Sequence, residues 1–298
     1  MTGQSFLQRE LDSLPHRVSR AYDLAGIHCL REHGCQQYHG YWPLLRARNP
    51  HGRVPAGAGF LQRVFERSQA VTPLSILIAG AADTGLPALV VQSLQEAGLD
   101  FDLTLADRCQ TPLLLNSEMF ASSSINISVI HADLLEPLDN VGAMDFIVLH
   151  SLLNFFSPQQ RAVVIRNLAR ALKPGGMILL SNKMRLGESF TTQTVDSGQE
   201  EQASCDLGQL APGPIEQEVA RAFERDKSYF DSLPLTRHAT LAVEDLPTIA
   251  ASAGLQLAQC RLVDRNSDRS ERGPASNTVK FADVVRGEVA FLKPGDSA

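Results

Sequence analysis

The chain has 298 residues, 44% of them apolar and 20% charged, with a formal net charge of −6. That balance fits a globular core and argues against a sequence-independent nucleic-acid binder, which needs clustered positive charge. No run of about 18 apolar residues marks a membrane span, and the first twenty residues lack the apolar centre of a signal peptide.

The five cysteines, Cys29, Cys35, Cys109, Cys205 and Cys260, are scattered, odd in number and without CxxC spacing. Neither a zinc site nor a disulfide framework is expected from them, so the expected metal content is none. Together these features predict a cytoplasmic protein of a reducing compartment, with no nucleic-acid or membrane partner.

In chain order, residues 5–33 read as helical. Phe6, Leu7, Leu11 and Leu14 recur at helical spacing, as do Val18, Ala21, Tyr22 and Ala25. Pro15 is expected to divide this stretch into two helices. The segment Tyr38-His39-Gly40-Tyr41-Trp42-Pro43 follows, with the single tryptophan and two of the four tyrosines. It reads either as an aromatic plug between the N-terminal helices and a sheet or as a lid over a ligand. Residues 49–59 read as a loop and 60–69 as a helix.

From residue 74 the pattern alternates. A short apolar strand at 75–79 runs into Gly80-Ala81-Ala82-Asp83-Thr84-Gly85 and a helix at 86–97. Strands are predicted at 101–106, 127–131 and 145–149, ending on Asp107, Asp133 and His150. Ser157-Pro158 opens a helix at 159–172, and Gly175-Gly176 turns the chain into a fifth strand at 177–181. Residues 184–213 lose hydrophobic periodicity and read as a mobile loop. Helical spacing returns at 215–230 and 244–254, and two last strands are predicted at 255–263 and 284–292.

A small-residue turn between a buried strand and a helix N-terminus lets a ligand approach backbone closely. Asp107 lies 22 positions after Gly85, near the offset at which a carboxylate accepts ribose hydroxyls. Asp133 reads either as a ligand acceptor or as a turn aspartate. His150 stands where the fourth strand opens, the usual place for ligands in parallel sheets. It reads either as a general base or as a residue that shapes the pocket. Asn154 reads as a ligand contact or a turn cap.

This succession resembles the class I S-adenosylmethionine-dependent methyltransferases. The Gly80–Gly85 loop is similar to their first motif and Leu105-Ala106-Asp107-Arg108 to their second. His131-Ala132-Asp133-Leu134 resembles their adenine-recognition motif, Asp145 to His150 their fourth strand, and Leu172-Lys173-Pro174-Gly175-Gly176 the turn into their fifth. Two positions depart from the family pattern. Ile78 stands where an acidic residue is common, and Ala82 replaces the middle glycine.

The resemblance implies an α/β, Rossmann-like three-layer sandwich with a seven-stranded, mostly parallel sheet. It also implies an N-terminal helical lid (1–72) on a methyltransferase domain (73–298), with a substrate-cap insertion at 184–238 after the fifth strand. The implied cofactor is S-adenosylmethionine, leaving as S-adenosylhomocysteine, and the implied partner is a small-molecule acceptor methylated on O or N, in secondary metabolism. A homodimer is left open. Implied cofactor contacts are Gly80, Ala81, Ala82, Gly85, Asp107, Arg108, Asp133, Leu134 and His150. Implied acceptor contacts are His39, Tyr41, Trp42, Asn154, Tyr229 and His238. Two alternatives stand beside this reading: a protein of the same fold that binds a ligand or partner without methyl transfer, and a nicotinamide-dependent oxidoreductase. The second fits Asp133 and the Leu172–Gly176 turn poorly, and no Tyr-x-x-x-Lys pair accompanies it.

Overall fold

The structure, a computed structural model, describes residues 4–48, 55, 57–68, 73–186, 213–226, 228, 240–263 and 284–295. Eight strands form one sheet: β1 (Leu74–Ala79), β2 (Phe101–Asp107), β3 (Ile127–His131), β4 (Met144–His150), β5 (Leu172–Arg185), β6 (Leu241–Ala242), β7 (Gln256–Val263) and β8 (Val284–Leu292). Their order is β3-β2-β1-β4-β5-β8-β7, with the two-residue β6 paired to β5. Strands β1 to β5 are parallel, and β8 runs antiparallel between β5 and β7. The sheet has one strand more than the sequence predicts, because β6 is too short to leave a pattern of its own.

Apart from Ser75 near its start, strand β1 is apolar, because both of its faces are covered. Ile76 and Ile78 point to one face, where Phe146 and Val148 join them under α3 (Ala58–Glu66), α4 (Gly85–Glu96) and α5 (Gln110–Ala121). Leu77 and Ala79 point to the other face, against Ile147, Leu149 and the helices α6 (Pro158–Ala171) and α8 (Leu246–Ser252). This alternation explains Ile78. Its side chain is fully buried in the first cluster, where a lone carboxylate would carry a heavy desolvation cost.

The N-terminal segment forms α1 (Phe6–His28) and α2 (Gln36–Arg48). The expected break at Pro15 does not occur, since α1 runs through it without interruption. Leu14 and Val18 on either side of Pro15 are buried together with Leu44 and Ala47 of α2 and Val219 of α7 (Pro214–Arg225). Burial of that face offsets the one backbone hydrogen bond that proline cannot donate. The aromatic segment lies inside α2, Pro43 included. In the C-terminal part, α8 is followed by Gly254 in the left-handed conformation, the stop expected there.

Strand order reverses at β1, whose neighbours are β2 and β4. A crevice opens beyond the carboxyl ends of strands at such a point.

Candidate active site

The crevice is a cavity of about 270 Å³. Its floor begins at Gly80, directly after β1. Gly80 has φ +77°, and a Cβ there would stand 2.8 Å from Leu152 Cδ2. Both the backbone angle and the space therefore demand glycine. Ala81 carries the next turn, and its backbone N–H donates to Asp107 Oδ2 at 3.0 Å. Asp107 Oδ1 accepts from the Cys109 N–H at 2.7 Å. The carboxylate at the end of β2 is thus fixed from both sides while it lines the cavity. Burial pushes this carboxyl above the usual carboxylate range, opposed by His39 and by the same two N–H donors.

Asp133 follows β3 and folds into a turn by accepting from the Leu135 N–H at 2.9 Å. One carboxylate oxygen thus serves the turn, and the residue also lines the cavity together with Ala132 and Leu134. His131 Nε2 donates to the Arg108 carbonyl at 2.8 Å and so ties the ends of β2 and β3 together. Of the nine residues expected around a cofactor, eight line the cavity. The exception is Gly85. A Cβ on it would lie 2.5 Å from Arg46 Cζ, so its role is close packing against that guanidinium.

Arg46 also lines the cavity, and the sequence did not reveal it. It is 2% exposed. Its two terminal nitrogens donate to Glu10 at 3.1 and 3.0 Å, and Nη1 also donates to Asp83. Thr84 Oγ1 donates to Glu10 Oε1 at 2.7 Å, and the Gly85 N–H donates to Asp83 Oδ1 at 2.9 Å. Burial works against the charge on Arg46, and the two carboxylates more than offset it. This network clamps α1 and α2 onto the loop after β1. Nothing in local spacing couples residue 10 to 46 and 83.

The far end of the cavity is built from side chains. Tyr38 stacks on Trp42 with ring centroids 5.7 Å apart and meets Phe155 edge-on at 5.5 Å. These rings join α2 to the turn after β4 and wall the cavity. His39 and Trp42 line the cavity, whereas Tyr41 packs towards the Leu14–Val18–Leu44 cluster. Tyr229, Phe230 and His238 lie outside the described residues, as does most of 184–238.

His150 lies at the cavity wall after β4. Arg286 of β8 donates to its Nε2 at 3.3 Å and to Ser181 Oγ at 3.2 Å. Ser151 then takes φ +54°, uncommon for a residue with a side chain, while its N–H donates to the Ser181 carbonyl at 2.7 Å. Asn154 is engaged structurally. Its amide donates to the Lys183 carbonyl at 3.2 Å, and its Oδ1 accepts from Asn182 and from the Leu241 N–H, both at 3.1 Å. Lys183 and Arg286 bring two cations to this end of the cavity. Neither stands out in the sequence, because both lie on strands far along the chain from the motifs.

Residues 85–176 match the family model described as a methyltransferase domain. A carboxy-S-adenosyl-L-methionine synthase of Pseudomonas entomophila (strain L48) is 30% identical over 102 residues, which are 33% of this chain and 38% of that protein. The corresponding synthase of Pseudomonas putida (strain GB-1) is 32% identical over 94 residues, 30% of this chain and 35% of that one. The chain thus spans well under half the length of the curated relatives it matches. Among solved structures, a putative sarcosine dimethylglycine methyltransferase from Galdieria sulphuraria aligns over 80% of this chain and 83% of its own, at 13% identity and a TM-score of 0.48. Among the described residues, no helix is long and apolar enough to cross a membrane.

Proposed function

We propose that the chain, whose residues 85–176 match a methyltransferase domain, is a class I S-adenosylmethionine-dependent methyltransferase that transfers a methyl group from S-adenosylmethionine to a small-molecule acceptor. The observation that carries this reading is the cavity at the strand switch point. The Gly80 turn, Asp107 and the Asp133–Leu134 turn all border it, and a Cβ at Gly80 would collide with Leu152, which lines it too. These residues suit a nucleoside: Asp107 to accept from the ribose hydroxyls and Asp133 to accept from an exocyclic amine. When bound, the sulfonium supplies an activated methyl group and leaves as a neutral thioether.

The chain's own contribution is positional. The aromatic wall of Tyr38, Trp42 and Phe155 favours a cation over its faces and keeps water from the reacting end. Holding an acceptor atom in line accounts for much of the acceleration such a site achieves. Arg286 donates to Nε2 of His150, which occupies the lone pair a general base would use there. His150 is therefore read as a residue that shapes the pocket. Lys183 and Arg286 favour an acceptor with an anionic group near the O or N that is methylated. A role in secondary metabolism rests on the resemblance alone.

A second reading draws on the same two cations. The curated relatives are named for making a carboxylated form of S-adenosylmethionine, and an added carboxylate would be matched by Lys183 and Arg286. Calorimetric titration with S-adenosylmethionine, S-adenosylhomocysteine and the carboxylated sulfonium separates the readings. Methyl transfer predicts that the first two compete for one site and that label from the methyl group appears on an acceptor. Clear preference for the carboxylated compound, with no labelled acceptor, would favour the second reading. Binding of S-adenosylmethionine with no transfer at all would leave a ligand-binding protein of this fold.

A further inference from the structure

Three of the five scattered cysteines and one histidine meet beside the cavity. Cys29 caps the C-terminal end of α1, Cys35 immediately precedes α2, His39 lies one turn into α2, and Cys109 caps the N-terminal end of α5. Their side-chain donor atoms all lie within 4.8 Å of one another. Cys29 Sγ is 3.5 Å from His39 Nδ1 and 3.5 Å from Cys109 Sγ. Cys35, His39 and Cys109 are buried and Cys29 is partly so.

We propose that Cys29, Cys35, Cys109 and His39 form a structural zinc site that rivets the N-terminal helices to the end of β2. The donor set is three thiolates and one imidazole, the soft combination that zinc favours. The spacing fits as well. With Zn–S bonds of about 2.3 Å and Zn–N bonds of about 2.0–2.1 Å, a tetrahedron has edges of roughly 3.5–3.8 Å. The Cys29–His39 and Cys29–Cys109 separations are already close to that length. The remaining ones need only a small contraction, which a closing metal supplies. No sulfur pair is bonded, since all three cysteines are free. Binding displaces the thiol protons to solvent, and no electron transfer is involved.

Four protein ligands close the coordination shell, so this metal has no open position for substrate or water. Its effect on the neighbouring site is geometric. The N–H of Cys109 donates to Asp107 Oδ1, and Cys35 and His39 themselves line the cavity. A metal at this point therefore sets the position of the ribose carboxylate and the start of the aromatic helix together. Three of the ligands fall in one short stretch, Cys29-x5-Cys35-x3-His39, and Cys109 completes the set from the start of α5.

The test uses the full chain, purified under reducing conditions, with metal content measured by mass spectrometry. About one zinc per chain is expected. Removal of the metal followed by addition of Co²⁺ should give intense thiolate-to-cobalt charge transfer and the visible bands of a tetrahedral ion. Cys109→Ser and Cys35→Ser should lose the stoichiometric metal, while Cys260→Ser, whose thiol is exposed and distant, should keep it. His39→Ala should weaken cobalt binding at least tenfold, and His39→Cys should restore it with a spectrum shifted towards four sulfurs. Failure of the reduced wild-type chain to hold zinc or to develop cobalt charge transfer would overturn the proposal, whatever the variants do. A Cys29–Cys109 disulfide found by non-reducing peptide mapping of freshly purified protein would also overturn it.

Discussion

The two ends of the cavity are built by different means. One end is made of backbone and short loops: the Gly80 turn, the N–H groups that hold Asp107, and the Asx turn at Asp133. Its parts are consecutive strand ends of one parallel sheet, so the sheet itself sets their spacing. The other end is made of side chains contributed by α2, the turn after β4, β5 and β8. Its geometry depends on contacts such as Arg286 to His150, which join residues 136 positions apart. The first arrangement suits a ligand that stays constant, and the second can change its specificity without disturbing the sheet. Arg46 belongs to neither end and braces both, since it anchors the aromatic helix to the glycine turn.

The largest expected effect comes from cutting that brace. Arg46→Ala leaves Glu10 and Asp83 buried without their cation and should cost about 3–5 kcal/mol of unfolding free energy in urea denaturation. Removal of all three charges in the Arg46→Met, Glu10→Gln, Asp83→Asn variant should cost less than the single substitution. If the single substitution proved milder than the triple, the brace would not be an ionic clamp.

Next comes Gly80→Ala. The left-handed backbone costs about 1–2 kcal/mol for a residue with a Cβ, and the encounter with Leu152 adds about 1–3 kcal/mol. The double variant with Leu152→Ala should recover part of the loss in S-adenosylmethionine affinity. A Gly80→Ala protein with unchanged stability and affinity would show that this end tolerates more than its geometry implies.

Asp107→Asn should weaken S-adenosylmethionine binding by about 1–3 kcal/mol, the usual cost of lost charge-assisted hydrogen bonds. The fold should survive, because the amide oxygen can still accept from Ala81 or Cys109. Calorimetry reads this directly, and an unchanged affinity would remove Asp107 from the ribose contact.

The smallest effect is expected at the side-chain end. His150→Gln should change acceptor affinity several-fold and leave the pH profile of turnover as it is. A general base would instead show a loss of about 10²–10⁴-fold in turnover and a wild-type rate rising through a pKa near 6–7.

The same division governs what the amino-acid order discloses. Asp107 and Asp133 can be read from spacing because strand, turn and acid follow one another within a few residues. The five parallel strands and the two late strands are legible for the same reason: their apolar runs are unbroken and bounded by glycine, proline or aspartate. Arg46, Lys183 and Arg286 are silent because each acts across the fold. Pro15 misleads because a local rule about proline is overridden by the buried face of α1. The cysteine cluster is half legible: Cys29, Cys35 and His39 fall within residues 29–39, but Cys109 joins them from the start of α5 with no CxxC pair to mark it.

Trp42 is the only tryptophan in the chain, and it stands against Tyr38 in the cavity wall. With excitation at the red edge, where tyrosine does not absorb, the emission of the protein therefore originates from one indole in contact with the site. Its intensity and wavelength should respond to occupancy of the cavity without any added dye. A Trp42→Phe variant supplies the dark control. Stopped-flow mixing then yields association and dissociation rates for any ligand offered, including compounds whose turnover is too slow to assay.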